Sequence, residues 1–237
     1  AANKFIYLEK PITKNAKEAE ELSKIVPKNQ KIVVAHYRRN LPAFIKVKEL
    51  LDSNSIGKVL SVDIKILQAT NQNTNNTIIT KTDDHWRLKP EISGGGYFND
   101  IAPHQIDLMY HYFGEIEKST GFTTCKQTKI ADIVNGIIEF KSGVQFSGIW
   151  NFIANKKDVK DQCKIYGEKG TITFSFYGVE VLLDVADKKE IFRFKNPEHI
   201  QQPMIAQTVN YFLGDAKNPC ALENGLLVMK VIDSFTK

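Results

Sequence analysis

Gly94-Gly95-Gly96-Tyr97-Phe98-Asn99-Asp100-Ile101-Ala102-Pro103-His104-Gln105-Ile106-Asp107-Leu108-Met109-Tyr110-His111-Tyr112-Phe113-Gly114 opens on a flexible glycine run and continues with helical spacing. Pro103 suits the first turn of a helix, where its missing N–H costs nothing, and Gly114 suits the position just past the last turn. Together they predict a helix over about 102–113. Asp100, His104, Asp107 and His111 are spaced by four, three and four, so they project toward one side of it. Ile106, Met109, Tyr110 and Phe113 repeat as an apolar stripe on the other side. The pattern predicts a helix anchored by one face and offering titratable groups on the other.

Upstream, Phe5-Ile6-Tyr7-Leu8 and Lys31-Ile32-Val33-Val34-Ala35-His36-Tyr37 have the length and apolarity of buried strands. Between them Asn15 and Glu18 form a capping pair, and Ala16, Ala19, Leu22, Ile25 and Val26 make a helical stripe that Pro27 ends. Strand, helix and strand with short links predict a parallel β-α-β unit, too small to stand as a sheet by itself. Ala1-Ala2-Asn3 lacks an initiator Met, so the chain is expected to be part of a longer one. Phe44, Val47, Leu50 and Leu51 mark a helix after Pro42. The segment from Lys58 to Ile66 alternates with period two, as a half-exposed antiparallel strand does. A polar loop at 71–77 leads to the cluster Asp84-His85-Trp86-Arg87.

Downstream, alternating runs at 132–140 and 144–152 flank the turn Lys141-Ser142-Gly143, which predicts a hairpin with Val144, Phe146, Gly148, Trp150 and Phe152 on one face. Short strands follow at 162–166, 171–176, 179–183 and 190–194, then two helices carrying Ile205, Val209 and Phe212, and Val228, Val231, Ile232 and Phe235. The predicted fold class is α+β: a large, mostly antiparallel sheet with helices on one face, preceded by the β-α-β unit.

Composition narrows the function classes. At 237 residues, 42% hydrophobic and 25% charged, the chain can bury a sizeable core, and no apolar run approaches a membrane span. The pattern of a signal peptide is missing, so a cytoplasmic location is expected. Cys125, Cys163 and Cys220 are widely spaced, and three buried, reduced thiols are expected. The net charge of +5 comes from scattered lysines, without a recognition helix, so neither nucleic acid nor a membrane is an expected partner.

Several motifs, in order, resemble the glucose-fructose oxidoreductase, inositol dehydrogenase and MocA (Gfo/Idh/MocA) family of NAD(P)-dependent sugar and polyol oxidoreductases. They are Glu9-Lys10-Pro11, Arg39-x-x-Pro42, Gly57-Lys58-Val59, Trp86-Arg87, the stretch Gly94-Gly95-Gly96 followed by Asp100, His104 and Asp107, and the turn Gly167-Glu168-Lys169-Gly170. The resemblance implies that residues 1–40 are the end of a dinucleotide-binding Rossmann domain and that residues 41–237 are a substrate-binding and dimerisation domain. The sequence contains no Gly-x-Gly-x-x-Gly phosphate turn, so the cofactor, NAD or NADP, is expected to need residues beyond this chain, which alone is expected to be inactive.

By the same resemblance, Lys10, Asp100 and His104 are the expected catalytic residues. His104 would take the hydroxyl proton with Asp100 orienting its ring, and Lys10 would hydrogen-bond the reacting oxygen. Trp86, Arg87, Tyr97 and Asp107 are expected at the sugar or polyol, Glu9, Lys10 and Pro11 at the cofactor, and a homodimer is expected through the open sheet. Taken alone, an Asp-x-x-x-His pair more often caps and fills a helix, and a strand-end lysine is usually just solvated. Two alternatives remain at this level: His85, Asp100, His104 and Asp107 as ligands of a catalytic metal, or a non-catalytic sugar- or partner-binding scaffold.

Overall fold

The computed structural model describes residues 4–69, 89–126 and 130–236, so the loop at 71–77 and the cluster His85, Trp86 and Arg87 lie outside the described residues. The first unit is the expected β-α-β: strand β1 (Ile6–Leu8) pairs in parallel with β2 (Ile32–Val34), and helix α1 (Ala16–Ile25) connects them. The Asn15 side chain caps α1 by accepting from the Glu18 N–H at 2.9 Å. The unit is less buried than its apolar runs suggest, with Phe5 59% and Ile25 77% exposed. Among the described residues β1 is hydrogen-bonded along one edge, so its residues lack the layers that cover a wide parallel sheet.

Beyond β2 the chain makes a 3₁₀ turn at Tyr37–Asn40 and enters helix α2 (Pro42–Asp52), which buries Phe44, Val47 and Leu50. It then forms strand β3 (Val59–Ala69) at the centre of an eight-stranded sheet. The other strands are β4 (Ile116–Thr124), β5 (Ile133–Phe140), β6 (Gln145–Ala154), β7 (Lys160–Gly167), β8 (Gly170–Phe174), β9 (Glu180–Val185) and β10 (Lys188–Arg193). Their order is β10-β9-β8-β7-β3-β6-β5-β4, antiparallel throughout except that β3 runs parallel to β6. The alternation in β3 suggested antiparallel neighbours on both sides; alternation reports which faces are covered, not the direction of the adjoining strands. Strand β4 was not expected, because as an edge strand it carries no clean alternation and leaves Phe122 73% exposed.

Helices α2, α4 (Gly96–Phe113) and α6 (Leu222–Thr236) pack on one face of this sheet; the short helix α3 (Pro90–Ser93) precedes α4, and α5 (Gln202–Leu213) precedes α6. Gly121, Gly136 and Gly148 stand opposite one another on β4, β5 and β6. A Cβ on Gly136 would stand 2.1 Å from the Phe235 ring, so the glycine row lets α6 lie directly on strand backbone. The predicted stripe of α6 is buried, but that of α5 is not. Ile205 is 46% and Val209 48% exposed, whereas Met204 and Thr208, one position earlier, face the core. Both stripes have helical period, and only the neighbours of α5 choose between them. Cys163 and Cys220 are buried thiols, but Cys125 is exposed. Among the described residues no helix is long and apolar enough to cross a membrane.

Candidate active site

Helix α4 begins a turn and a half earlier than expected, at Gly96, whose N–H donates to Ser93 Oγ at 3.0 Å. A side chain at Gly96 would meet Ile130 at 2.1 Å, and its φ of +71° is in the region that favours glycine. Pro103 therefore lies inside the helix, where it cannot donate to the carbonyl of Asn99. The ladder is interrupted at that turn, and the carbonyl of Asp100, one residue on, accepts Lys10 Nζ at 2.8 Å. Nor does α4 have one open polar face: from Gly96 to Met109 only Asp100 is not buried. The sheet covers one side, and the N-terminal unit with α6 covers much of the other.

The two aspartates of α4 bind two cations from that unit. Lys10, just past the end of β1, makes an ion pair with Asp100 Oδ1 at 3.0 Å in addition to its bond to the Asp100 carbonyl. The expected hydrogen bond from Asp100 to His104 is not formed: the carboxylate binds the ammonium, the stronger partner, and His104 Nδ1 has no hydrogen-bond partner. Pro11 follows Lys10 through a cis peptide bond. Asp107, expected at the substrate, is 0% exposed and takes a two-pronged bond from Arg39, Nε to Oδ2 at 2.8 Å and Nη2 to Oδ1 at 2.6 Å. Burial is the largest influence and would raise its pKa, but the charge and hydrogen bonds of Arg39 together with His36 and His111 hold the carboxyl below its ordinary value. Tyr97, also expected at the substrate, is buried with its ring against Phe152.

His104 is the centre of the remaining groups. Burial, and then the positive charges of Lys10 and Arg38, push its pKa well below the ordinary 6.5, so it is a neutral imidazole at neutral pH. The Tyr37 ring meets it edge-on at 5.0 Å and His36 at 6.3 Å. His36 is itself pushed down to about 4, chiefly by burial. These groups, with Arg38 and Tyr177, were not expected; the one available signal was the run His36-Tyr37-Arg38-Arg39 at the carboxyl end of a parallel strand, where open α/β sheets bind ligands. His36 Nδ1, Arg38 Nε, His104 Nδ1 and Tyr177 Oη are all buried without a hydrogen-bond partner. Buried polar atoms are normally satisfied, so this concentration fits a site completed by a polar ligand. Among the described residues no group of three or more His, Cys, Asp or Glu could hold a metal ion, and His85 of the alternative ligand set lies outside them.

Lys10, Asp100 and His104 thus come together where the parallel β-α-β unit adjoins the α+β sheet. Residues 44–173 match the GFO/IDH/MocA C-terminal domain, and the chain belongs to the Gfo/Idh/MocA family of oxidoreductases. It is 50% identical over 234 residues to Oxidoreductase P35 of Formosa agariphila, an alignment covering 98% of this chain and 71% of that protein. A levoglucosan dehydrogenase from Pseudarthrobacter phenanthrenivorans is 31% identical over 115 residues, 48% of this chain and 28% of the relative. The fold is also that of a levoglucosan dehydrogenase solved in complex with NADH and levoglucosan, at a TM-score of 0.82 and 21% identity, covering 99% of this chain and 71% of that one.

Proposed function

We propose that this chain is the substrate-binding part of an NAD(P)-dependent dehydrogenase that oxidises a secondary alcohol of a sugar or polyol. Residues 41–237 form the substrate domain, and residues 1–40 are the end of a dinucleotide-binding domain. The observation that carries the reading is the Lys10 ammonium, bound twice to Asp100 one helical turn before the neutral, buried His104. The names of the levoglucosan dehydrogenase relatives support the substrate class.

Glu9-Lys10-Pro11 lies at the carboxyl end of a parallel strand, and this position fits the nicotinamide end of a dinucleotide. A bound nicotinamide cofactor supplies the hydride acceptor. As hydride leaves the carbinol carbon, the hydroxyl proton passes to His104, which its surroundings keep unprotonated beforehand. An ammonium has three donors; two of Lys10's are held by Asp100, and the third, which makes no bond among the described residues, serves the reacting oxygen. Trp86 and Arg87 are assigned to the sugar by family resemblance. Asp107 and Tyr97 serve the site by fixing α4.

In the complete protein, His104→Ala is expected to lower kcat by about 10²–10⁴-fold while leaving the dinucleotide Kd nearly unchanged. Steady-state kinetics beside a dinucleotide titration check this, and near-normal turnover would overturn the assignment. On the open face of the sheet, exposed Phe122 and Ile137 support the expected dimer, which a monomeric mass in light scattering would contradict.

A further inference from the structure

One cation in the candidate site has no carboxylate. Lys10 is paired with Asp100 and Arg39 with Asp107, but Arg38, only 5% exposed, makes no ion pair within 4.0 Å among the described residues. It is held in place by contacts with neutral groups, and the Asp161 carboxylate feels its charge without forming an ion pair with it. Its Nη1 donates to the Phe176 carbonyl, and its guanidinium carbon lies over the Tyr177 ring at 4.6 Å and the Tyr37 ring at 5.4 Å. Asp161, the nearby carboxylate, uses its two oxygens on the backbone N–H groups of Phe176 and Tyr177, at 3.0 and 2.8 Å. The Nε atom of Arg38 has no partner, and Nη2 makes no hydrogen bond among the described residues. Nε and Nη2 are adjacent on one edge of the guanidinium, the fork that matches the two oxygens of a carboxylate. Tyr177 Oη, also unpartnered, belongs to the ring stacked on that guanidinium. Tyr37 lies between, its ring centroid 5.0 Å from that of His104 and 5.4 Å from the Arg38 guanidinium carbon, so a single aromatic ring bridges the fork and the imidazole.

We infer that Arg38 is a specificity-determining residue whose Nε/Nη2 edge binds a substrate carboxylate, so that the preferred substrate is a sugar acid rather than a neutral sugar. The inference rests on the dehydrogenase reading only for the word substrate; binding of the acid does not depend on hydride transfer. Among the described residues one cation of the site lacks an ion pair, and one surplus positive charge matches one carboxylate.

The test is equilibrium binding to the full chain, by calorimetry or ligand-observed NMR, of three matched pairs: D-glucuronate and D-glucose, D-galacturonate and D-galactose, D-mannuronate and D-mannose, with D-glucose 6-phosphate as a further anion. At least one acid should bind roughly 10- to 100-fold tighter than its neutral partner, the range of a charge-assisted pair. Arg38→Met should abolish that preference, and Arg38→Lys, which keeps the charge but loses the fork, should retain part of it. The preference of the unsubstituted chain tests the inference even where Arg38→Met fails to fold. Equal or tighter binding of every neutral sugar, binding of no acid, an acid preference that survives Arg38→Met, or tighter binding of the sugar phosphate would each overturn it. Parallel turnover assays on the complete protein separate the two readings. Arg38-dependent acid binding without turnover would sink the dehydrogenase and leave the carboxylate site, whereas turnover of neutral sugars without acid preference would do the reverse.

Discussion

Asp100 and Asp107 lie seven residues apart on the same helix, and each meets a cation delivered by the N-terminal unit, yet the two pairs do different things. Asp107 and Arg39 are 1% and 7% exposed and joined through two bonds, with His36 Nε2 a further 3.9 Å away. Asp100 and Lys10 are 17% and 13% exposed and joined through one carboxylate oxygen. The sealed pair has no route to a ligand and every reason to fix two segments; the more open pair keeps a donor available beside His104. Identical residue types at helical spacing thus become a staple and a half-site according to how much of each is covered.

The largest expected effect comes from breaking the sealed pair. Asp107→Ala leaves the Arg39 guanidinium buried without its partner, which costs about 3–5 kcal/mol. At about 2–4 °C per kcal/mol for a chain of this size, the melting temperature should fall by roughly 6–20 °C. Asp100→Ala should cost only about 1 kcal/mol or less, because water can solvate the released ammonium. Equal losses in paired thermal melts would erase the distinction between the two pairs.

The pH dependence lies between these extremes. His36 and His111 are pushed down to about 4, and His104 well below 6.5, in each case mainly by burial. Below pH 6.5 the unfolded chain takes up protons that the folded one refuses, so stability falls as pH drops from 6.5 toward 4. Each fully refused proton steepens the fall by about 1.4 kcal/mol per pH unit. Asp107 acts lower down. Its folded pKa lies below the ordinary 3.8, so its contribution is complete above that value and is lost as pH falls through the folded one. Denaturant titrations across the range, with His36→Gln flattening the upper slope, check the assignment; a flat profile between pH 4 and 6.5 would contradict it.

Much of the architecture was legible because burial on a regular element leaves a period in the sequence. The β5–β6 hairpin, the core stripe of α6 and the β-α-β unit were read from spacing alone, since a strand or helix that covers one face must alternate accordingly. The failures share one cause. Ile205 and Val209 were a valid helical stripe that nothing covers, Phe5 and Ile25 belong to a unit with one paired edge, and β4 had no alternation because an edge strand needs none. The start of α4 was misplaced because Pro103, taken as a first-turn residue, is tolerated inside a helix that begins at Gly96.

The candidate site divides the same way. Lys10, Asp100 and His104 were nameable as candidates from residue type, order and family resemblance, because proton transfer restricts which side chains can hold and move a proton. Membership in the Gfo/Idh/MocA family and the α+β class were likewise contained in local patterns. Only the tertiary structure decided that Asp100 serves Lys10 rather than His104, that Asp107 is sealed against Arg39, and that Arg38, stacked on Tyr177, has no ion pair among the described residues. Those outcomes depend on solvent exposure and on partners up to about a hundred and forty residues away, as with Arg38 and Phe176. The strength of a charge pair is set by how much water its surroundings admit, and local spacing carries no record of that.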